Sequence, residues 1–163
     1  MMTLVETITV GSGGAASIEF TGIPGTGKDL MVLLSNKLVT SAGHRLQIRV
    51  NSVSADTLYL QGYGTGVQSG SYTVGDIGAA DSDTPTANTF GSAEIYISNY
   101  ATSVAHSFSA NAVIEANSSA AFASFQQLTA GLTQNTDAVT SVGFLNSTGT
   151  FAEHTTASLY SIS

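Results

Sequence analysis

Apolar and polar residues swap places at nearly every step along much of this chain. Ile18 and Phe20 flank Glu19; Leu46, Ile48 and Val50 alternate with Gln47 and Arg49; Ala93, Ile95 and Ile97 alternate with Glu94, Tyr96 and Ser98. Phe108, Ala110, Ala112 and Ile114 continue the pattern. A period of two is the mark of a strand with one buried face. It predicts strands over residues 4–10, 46–50, 57–61, 92–99, 107–115, 122–130, 138–145 and 157–162. Residues 17–34 organise the chain as strand, tight corner and strand, the second strand being apolar on both faces from Leu30 to Leu34. In 57–61 Leu58 and Leu60 share one side and Tyr59 the other, and in 122–130 Phe122 and Leu128 oppose Phe125.

Turn signals separate these runs, no window shows a helical period, and neither a 20–50-residue repeat nor a heptad is present. The predicted fold is all-β: an antiparallel jelly-roll β-sandwich with two sheets of about four strands, formed as a single domain over residues 1–163. Residues 62–91, with seven glycines and one proline, lack clean periodicity; they are expected to make one long surface excursion, with a short strand at 71–74.

Two glycine-rich stretches resemble phosphate-binding motifs. Gly22-Ile23-Pro24-Gly25-Thr26-Gly27-Lys28 fits the first seven positions of a P-loop, but Asp29 stands where a hydroxyl should hold magnesium. Gly11-Ser12-Gly13-Gly14-Ala15-Ala16 reads as G-x-G-x-x-A after a strand. Both motifs must open a helix whose N-terminus cradles the anion. Both are followed here by strand patterns, so both read as corners.

Composition narrows the function. Apolar residues make up 42 % of the 163 residues and charged residues only 9 %, so solubility rests on Ser, Thr, Asn and Gly. Lys28, Lys37, Arg45 and Arg49 face eleven acids, and a net charge of −7 argues against nucleic acid as a partner. No cysteine is present, which excludes disulfides and thiolate metal sites. Residues 1–10 lack a basic region and a long apolar core, so no secretory signal is expected there, and no segment approaches a membrane span. Asn117-Ser118-Ser119 and Asn146-Ser147-Thr148 match glycosylation acceptors, read as chance matches in a Ser/Thr-rich chain.

Candidate chemistry is scattered. His44 lies beside Arg45 in a polar loop, His106 stands just before a strand, and Glu153-His154 sits in the last loop; each is read as solvated. No G-x-S-x-G elbow occurs. Asp76, Asp81 and Asp83 form an acidic, glycine-rich stretch able to offer oxygens to calcium, against the plainer reading of a solvated loop. Glu19, Glu94 and Glu115 alternate with apolar residues, so each points outward from its strand. Tyr59, Tyr63, Tyr72, Tyr96 and Tyr100 read as core edge or subunit contact rather than as a sugar platform. No catalytic, cofactor-binding or metal-binding residue is assigned.

The order of motifs resembles the jelly-roll virion proteins of tailed bacteriophages, cyanophages and other marine phages especially. An opening strand leads to Gly11-Ser12-Gly13-Gly14, then to I-x-F-x-x-I-P at Ile18, Phe20, Ile23 and Pro24, and to a D-L strand at Asp29-Leu30. A strand ending in Asn51 follows, then I-x-N-Y-A at Ile97, Asn99, Tyr100 and Ala101. V-T-S-V from Val139 to Val142 and Leu159-Tyr160-Ser161-Ile162 close the series, with Ser161 where that family carries Gly. The resemblance implies a non-enzymatic structural protein of the virion. The expected role is a capsid cement or decoration protein on the outer face of the phage head. It is expected to bind the major capsid protein, to form a homotrimer and to need no cofactor, nucleic acid or membrane. The alternative is a tail or fibre head that binds a host surface glycan or protein through residues 62–91.

Overall fold

In residues 18–20, 46–50 and 93–97 the apolar half of the alternation becomes the buried half. Ile18 and Phe20, Leu46, Ile48 and Val50, and Ala93, Ile95 and Ile97 are each at most 2 % exposed, while their polar neighbours face water. In the computed structural model, which describes residues 1–39, 45–63, 66–82, 89–115 and 124–163, these strands build two sheets stacked face to face.

The strands are β1 (Met2–Thr9), β2 (Ser17–Thr21), β3 (Asp29–Val39), β4 (Arg45–Val50), β5 (Val53–Ser54), β6 (Asp56–Tyr63), β7 (Gly66–Tyr72) and β8 (Asp76–Ala79). They continue with β9 (Asp81–Ser82), β10 (Gly91–Ile97), β11 (Ser107–Glu115), β12 (Ser124–Leu132), β13 (Ser141–Asn146), β14 (Thr150–Phe151) and β15 (Thr156–Ile162). The wide sheet has the order β1-β15-β3-β10-β11-β12-β6-β7, and β9 and β14 pair with the end of β3. The narrow sheet has the order β2-β13-β4, with β5 and β8 sharing the far edge of β4. Among the described residues all strand pairings are antiparallel except that of β3 with β9.

The main core fills the space between the sheets. Ile18, Phe20, Leu46, Ile48, Val142 and Phe144 of the narrow sheet meet Leu30, Val32, Ile95, Ile97, Ala112 and Leu159 of the wide one. The β4–β5 hairpin turns on Asn51 and Ser52, both at positive φ (50° and 63°), as a two-residue connection requires. The Asn51 side chain also ties down the approach to β13. Its oxygen accepts from the amides of Thr140 (2.8 Å) and Ser141 (3.1 Å), and its nitrogen donates to the Ala138 carbonyl (3.0 Å).

Several expectations need correction. The wide sheet has eight strands in its main order, not about four. β3 runs on to Val39 rather than ending near residue 34, because Asn36 and Leu38 still face inward. β13 begins at Ser141 and not at 138, and β12 ends at Leu132 and not at 130. The start of the expected 122–130 strand, including Phe122, lies outside the described residues. Residues 62–91 are not one surface excursion: Gly66–Tyr72 pairs with β6 residue by residue, and Asp76–Ala79 is buried against β4. The strand expected at 71–74 covers only the end of β7 and a bend.

Two glycines permit the closest approaches. Phe108 of β11 lies flat over Gly131 of β12, where an added Cβ would sit 2.0 Å from the ring. Gly78 (φ 138°) lets β8 settle onto β11, where a Cβ would stand 2.4 Å from that of Ala112. Gly131→Ala is therefore expected to lower stability by about 2–3 kcal/mol through overpacking, read from the urea midpoint. The double variant with Phe108→Leu should recover part of that loss; a silent Gly131→Ala would disprove the contact's role.

Candidate functional site

The corner between β2 and β3 carries the P-loop-like stretch, and three of its backbone amides already have protein partners. The Ile23 amide donates to the Thr140 carbonyl (3.1 Å), the Gly27 amide to the Tyr100 hydroxyl (3.0 Å) and the Lys28 amide to the Ile162 carbonyl (2.7 Å). Tyr100 is fully buried and its hydroxyl donates to the Pro24 carbonyl. A strand follows, not a helix, so neither amides nor a helix dipole converge on an anion. At the Gly11–Ala16 loop, Ala15 exchanges two backbone hydrogen bonds with Phe151 (3.0 and 2.7 Å), and β2 follows. Both stretches are structural corners.

Asp29 begins β3 and accepts from the Asn99 amide at 2.9 Å. Burial acts to raise its carboxyl, but the Asn99 amide, the Tyr96 hydroxyl and the Lys28 charge outweigh this and hold it below the ordinary value. The hydrogen bond to Asp29 raises Tyr96 in turn.

The histidines divide. His44 lies outside the described residues. His106, expected to be solvated, is 1 % exposed; its ring nitrogens face the carbonyls of Ser98 (3.3 Å) and Asp137 (3.2 Å), which makes it a staple between two loops. Glu153 and His154 are exposed in the turn before β15, with His154 at φ 70°.

Asp76 is not a loop carboxylate. It is 1 % exposed, and the Arg45 guanidinium lies 3.5 Å from one of its oxygens. The other oxygen accepts from the Gly78 amide (3.1 Å) and the Gln127 amide nitrogen (3.2 Å). Arg45 also donates to the side-chain oxygens of Gln61 (3.3 Å) and Gln127 (3.4 Å), and its guanidinium stacks 5.0 Å over the Tyr72 ring. Tyr72 lies against Tyr59 with ring centres 4.8 Å apart. Burial, then the Tyr59 hydroxyl, push the Tyr72 phenol up to about 12. Burial also raises the Asp76 carboxyl, and Arg45, Gln127 and Gly78 offset that only in part. These donors occupy the oxygens that a calcium ion would need. Asp83 lies outside the described residues, and of Asp81 only its backbone pairing with Lys37 is described. Among the described residues no group of three His, Asp or Glu could hold a metal, and no helix is long and apolar enough to cross a membrane.

Glu19 is exposed on the outside of the narrow sheet, while Glu94 and Glu115 are exposed on the outside of the wide one. The Glu115 carboxylate accepts from the Ser124 hydroxyl at 2.5 Å. Glu94 lies opposite Asn111, four residues from Glu115, a span of roughly 13 Å along a strand. That exceeds the ~5–10 Å of a paired-carboxylate hydrolase.

What the structure assembles instead is a surface. Strand register lines up Leu60, Leu128, Asn111, Glu94 and Leu33 in one row across the outer face of the wide sheet. A second row carries Leu58, Ala130, Ser109, Tyr96 and Met31. Leu58, Leu60 and Leu128 are 64, 51 and 50 % exposed. Alternation identified these residues as one side of their strands but did not place that side in water.

Removing Arg45 leaves Asp76 as an uncompensated buried charge. Arg45→Met is expected to cost about 2–3 kcal/mol at pH 7, below the full value for a buried pair because the guanidinium is partly exposed. A carboxyl raised above its unfolded value binds its proton more tightly in the folded chain, so stability rises as pH falls through the folded value. The penalty of Arg45→Met should therefore shrink in urea titrations from pH 7 towards pH 4; a constant penalty would show that Asp76 is not the orphaned group.

Compared with known proteins, the chain matches no family model, no curated protein and no solved structure.

Proposed function

We propose that this chain is a non-enzymatic structural protein of a phage particle: a jelly-roll cement protein that seats on the major capsid protein at the outer face of the head, as a trimer. The observation that carries the reading is the outer face of the wide sheet, a broad, charge-poor surface with exposed leucines. Contiguous exposed apolar surface on a soluble domain marks a contact with a partner. β1 and β7, the two edge strands of the wide sheet, are exposed over almost every residue, which favours lateral association that covers them.

The strand order supports the jelly-roll part. Among β1, β2, β3, β4, β8, β10, β13 and β15, the wide sheet takes the first, eighth, third and sixth, and the narrow sheet the second, seventh, fourth and fifth. That interleaving is the order of two nested Greek keys. β6–β7 and β11–β12 are insertions between these strands, paired to each other through β6 and β12, and they widen one sheet. The motifs from Ile18 to Ile162 that resemble phage virion proteins support the choice of particle.

The test is sedimentation equilibrium of the purified chain, followed by cosedimentation with capsids stripped of their decoration. A trimer that binds stripped heads is the expected result. A monomer at high concentration that ignores the heads overturns the reading, and label at the tail in micrographs replaces it with the fibre-head role.

A further inference from the structure

Two shallow hollows meet on the outer face of the wide sheet, the larger of about 520 Å³, and both are lined by Glu94 and Asn111. Their walls mix aliphatic side chains, Leu58, Leu60 and Leu128 on one side and Leu33 and Val113 on the other, with uncharged serine and threonine hydroxyls. The shared seam offers acceptors. Glu94 contributes an exposed carboxylate, and the Asn111 side-chain oxygen is buried without a hydrogen-bond partner. Among the described residues no Lys, Arg or His lines either hollow.

An orphaned buried acceptor is costly, and a carboxylate in an apolar surround attracts a cationic donor strongly once water leaves. A second copy laid face to face on this surface brings another Glu94 and no described cation from its own hollows, in chains that each carry −7. The occupant must therefore bring the missing cation. We propose that the Glu94–Asn111 seam receives a Lys or Arg side chain presented by an aliphatic surface of a partner protein. The aliphatic side chains pack around its stem, Glu94 accepts from its head, and a turn of the Asn111 side chain brings its oxygen to the same donor. That the partner is a shell subunit rests on the function proposed above; the seam's preference for a cation does not.

The probe is a blocked pentapeptide, Ser-Leu-Arg-Leu-Ser, compared with its isosteric citrulline form, titrated into the full-length protein by NMR. The arginine peptide should shift the amides of Leu33, Glu94, Asn111 and Leu128 and bind at least tenfold more tightly than the citrulline peptide. Raised salt should weaken it. Glu94→Gln, with an unchanged melting temperature, should abolish the difference between the two peptides. Equal binding of both, no shift at these amides at millimolar peptide, or a self-associated dimer built through Leu128 would overturn the proposal. Stripped capsids keep the two claims apart. If they fail to bind while the arginine peptide binds, the shell reading falls and the seam stands. If they bind wild type, Glu94→Gln and Leu128→Ser equally, the seam falls as the docking site and the shell reading stands.

Discussion

A narrow sheet cannot cover a wide one, and much of this molecule follows from that mismatch. Three full strands and the short β8 lie over a sheet whose main order holds eight. Above β15, β3 and β10 the covering layer is aliphatic and aromatic, and the core there is built mainly of hydrophobic side chains. Towards β12 and β6 the cover thins to β8, and the buried inward positions become Thr57, Gln61, Gln127 and Thr129. Asp76 and Arg45 sit at this boundary and hydrogen-bond the two glutamines, while Thr57 donates to the Tyr72 carbonyl and Thr129 accepts from Gln127. A buried polar network is stable only when its members are satisfied, and here β8 brings the acceptor to where the donors already lie. Past the boundary β7 has no cover on either face.

The same boundary explains why part of the fold was legible in the sequence and part was not. Strands flanked by the narrow sheet declare themselves, since their apolar residues are their buried ones: Phe20, Ile48 and Ile95 read correctly from alternation alone. In β6 the alternation is equally clear, yet Leu58 and Leu60 face out while Thr57 and Gln61 face in. Period two reveals that a strand has two sides; which side meets protein depends on what covers it, and that is a tertiary fact. Residues 62–91 were opaque for a related reason. Gly66–Tyr72 is exposed on both faces, so no hydropathy pattern was needed, and Asp76–Ala79 is buried on both, so none was possible.

The site candidates sort by whether their partners were local. The phosphate-motif lookalikes were readable as corners because the strand after each was visible in the neighbouring residues. Asp76 was not readable as an ion-pair partner, because Arg45 lies four strands earlier and the pairing of β4 with β8 joins them. His106 looked solvated because nothing near it signals that Ser98 and Asp137 deliver carbonyls to both ring nitrogens. The outer row from Leu60 to Leu33 draws on five strands, and only the register assembles it.

A charge-poor chain with exposed leucines must still avoid indiscriminate association. β1 departs from regular register between Leu4 and Glu6, and such an irregularity in an edge strand discourages pairing with stray strands. On the open face the restraint is electrostatic. A net charge of −7 holds copies apart at long range, and Glu94 in the middle of the aliphatic row penalises any apolar partner that brings no cation. One carboxylate thus turns a sticky surface into a selective one. In the docking proposed above, the leucines provide contact area and the charge among them selects the occupant.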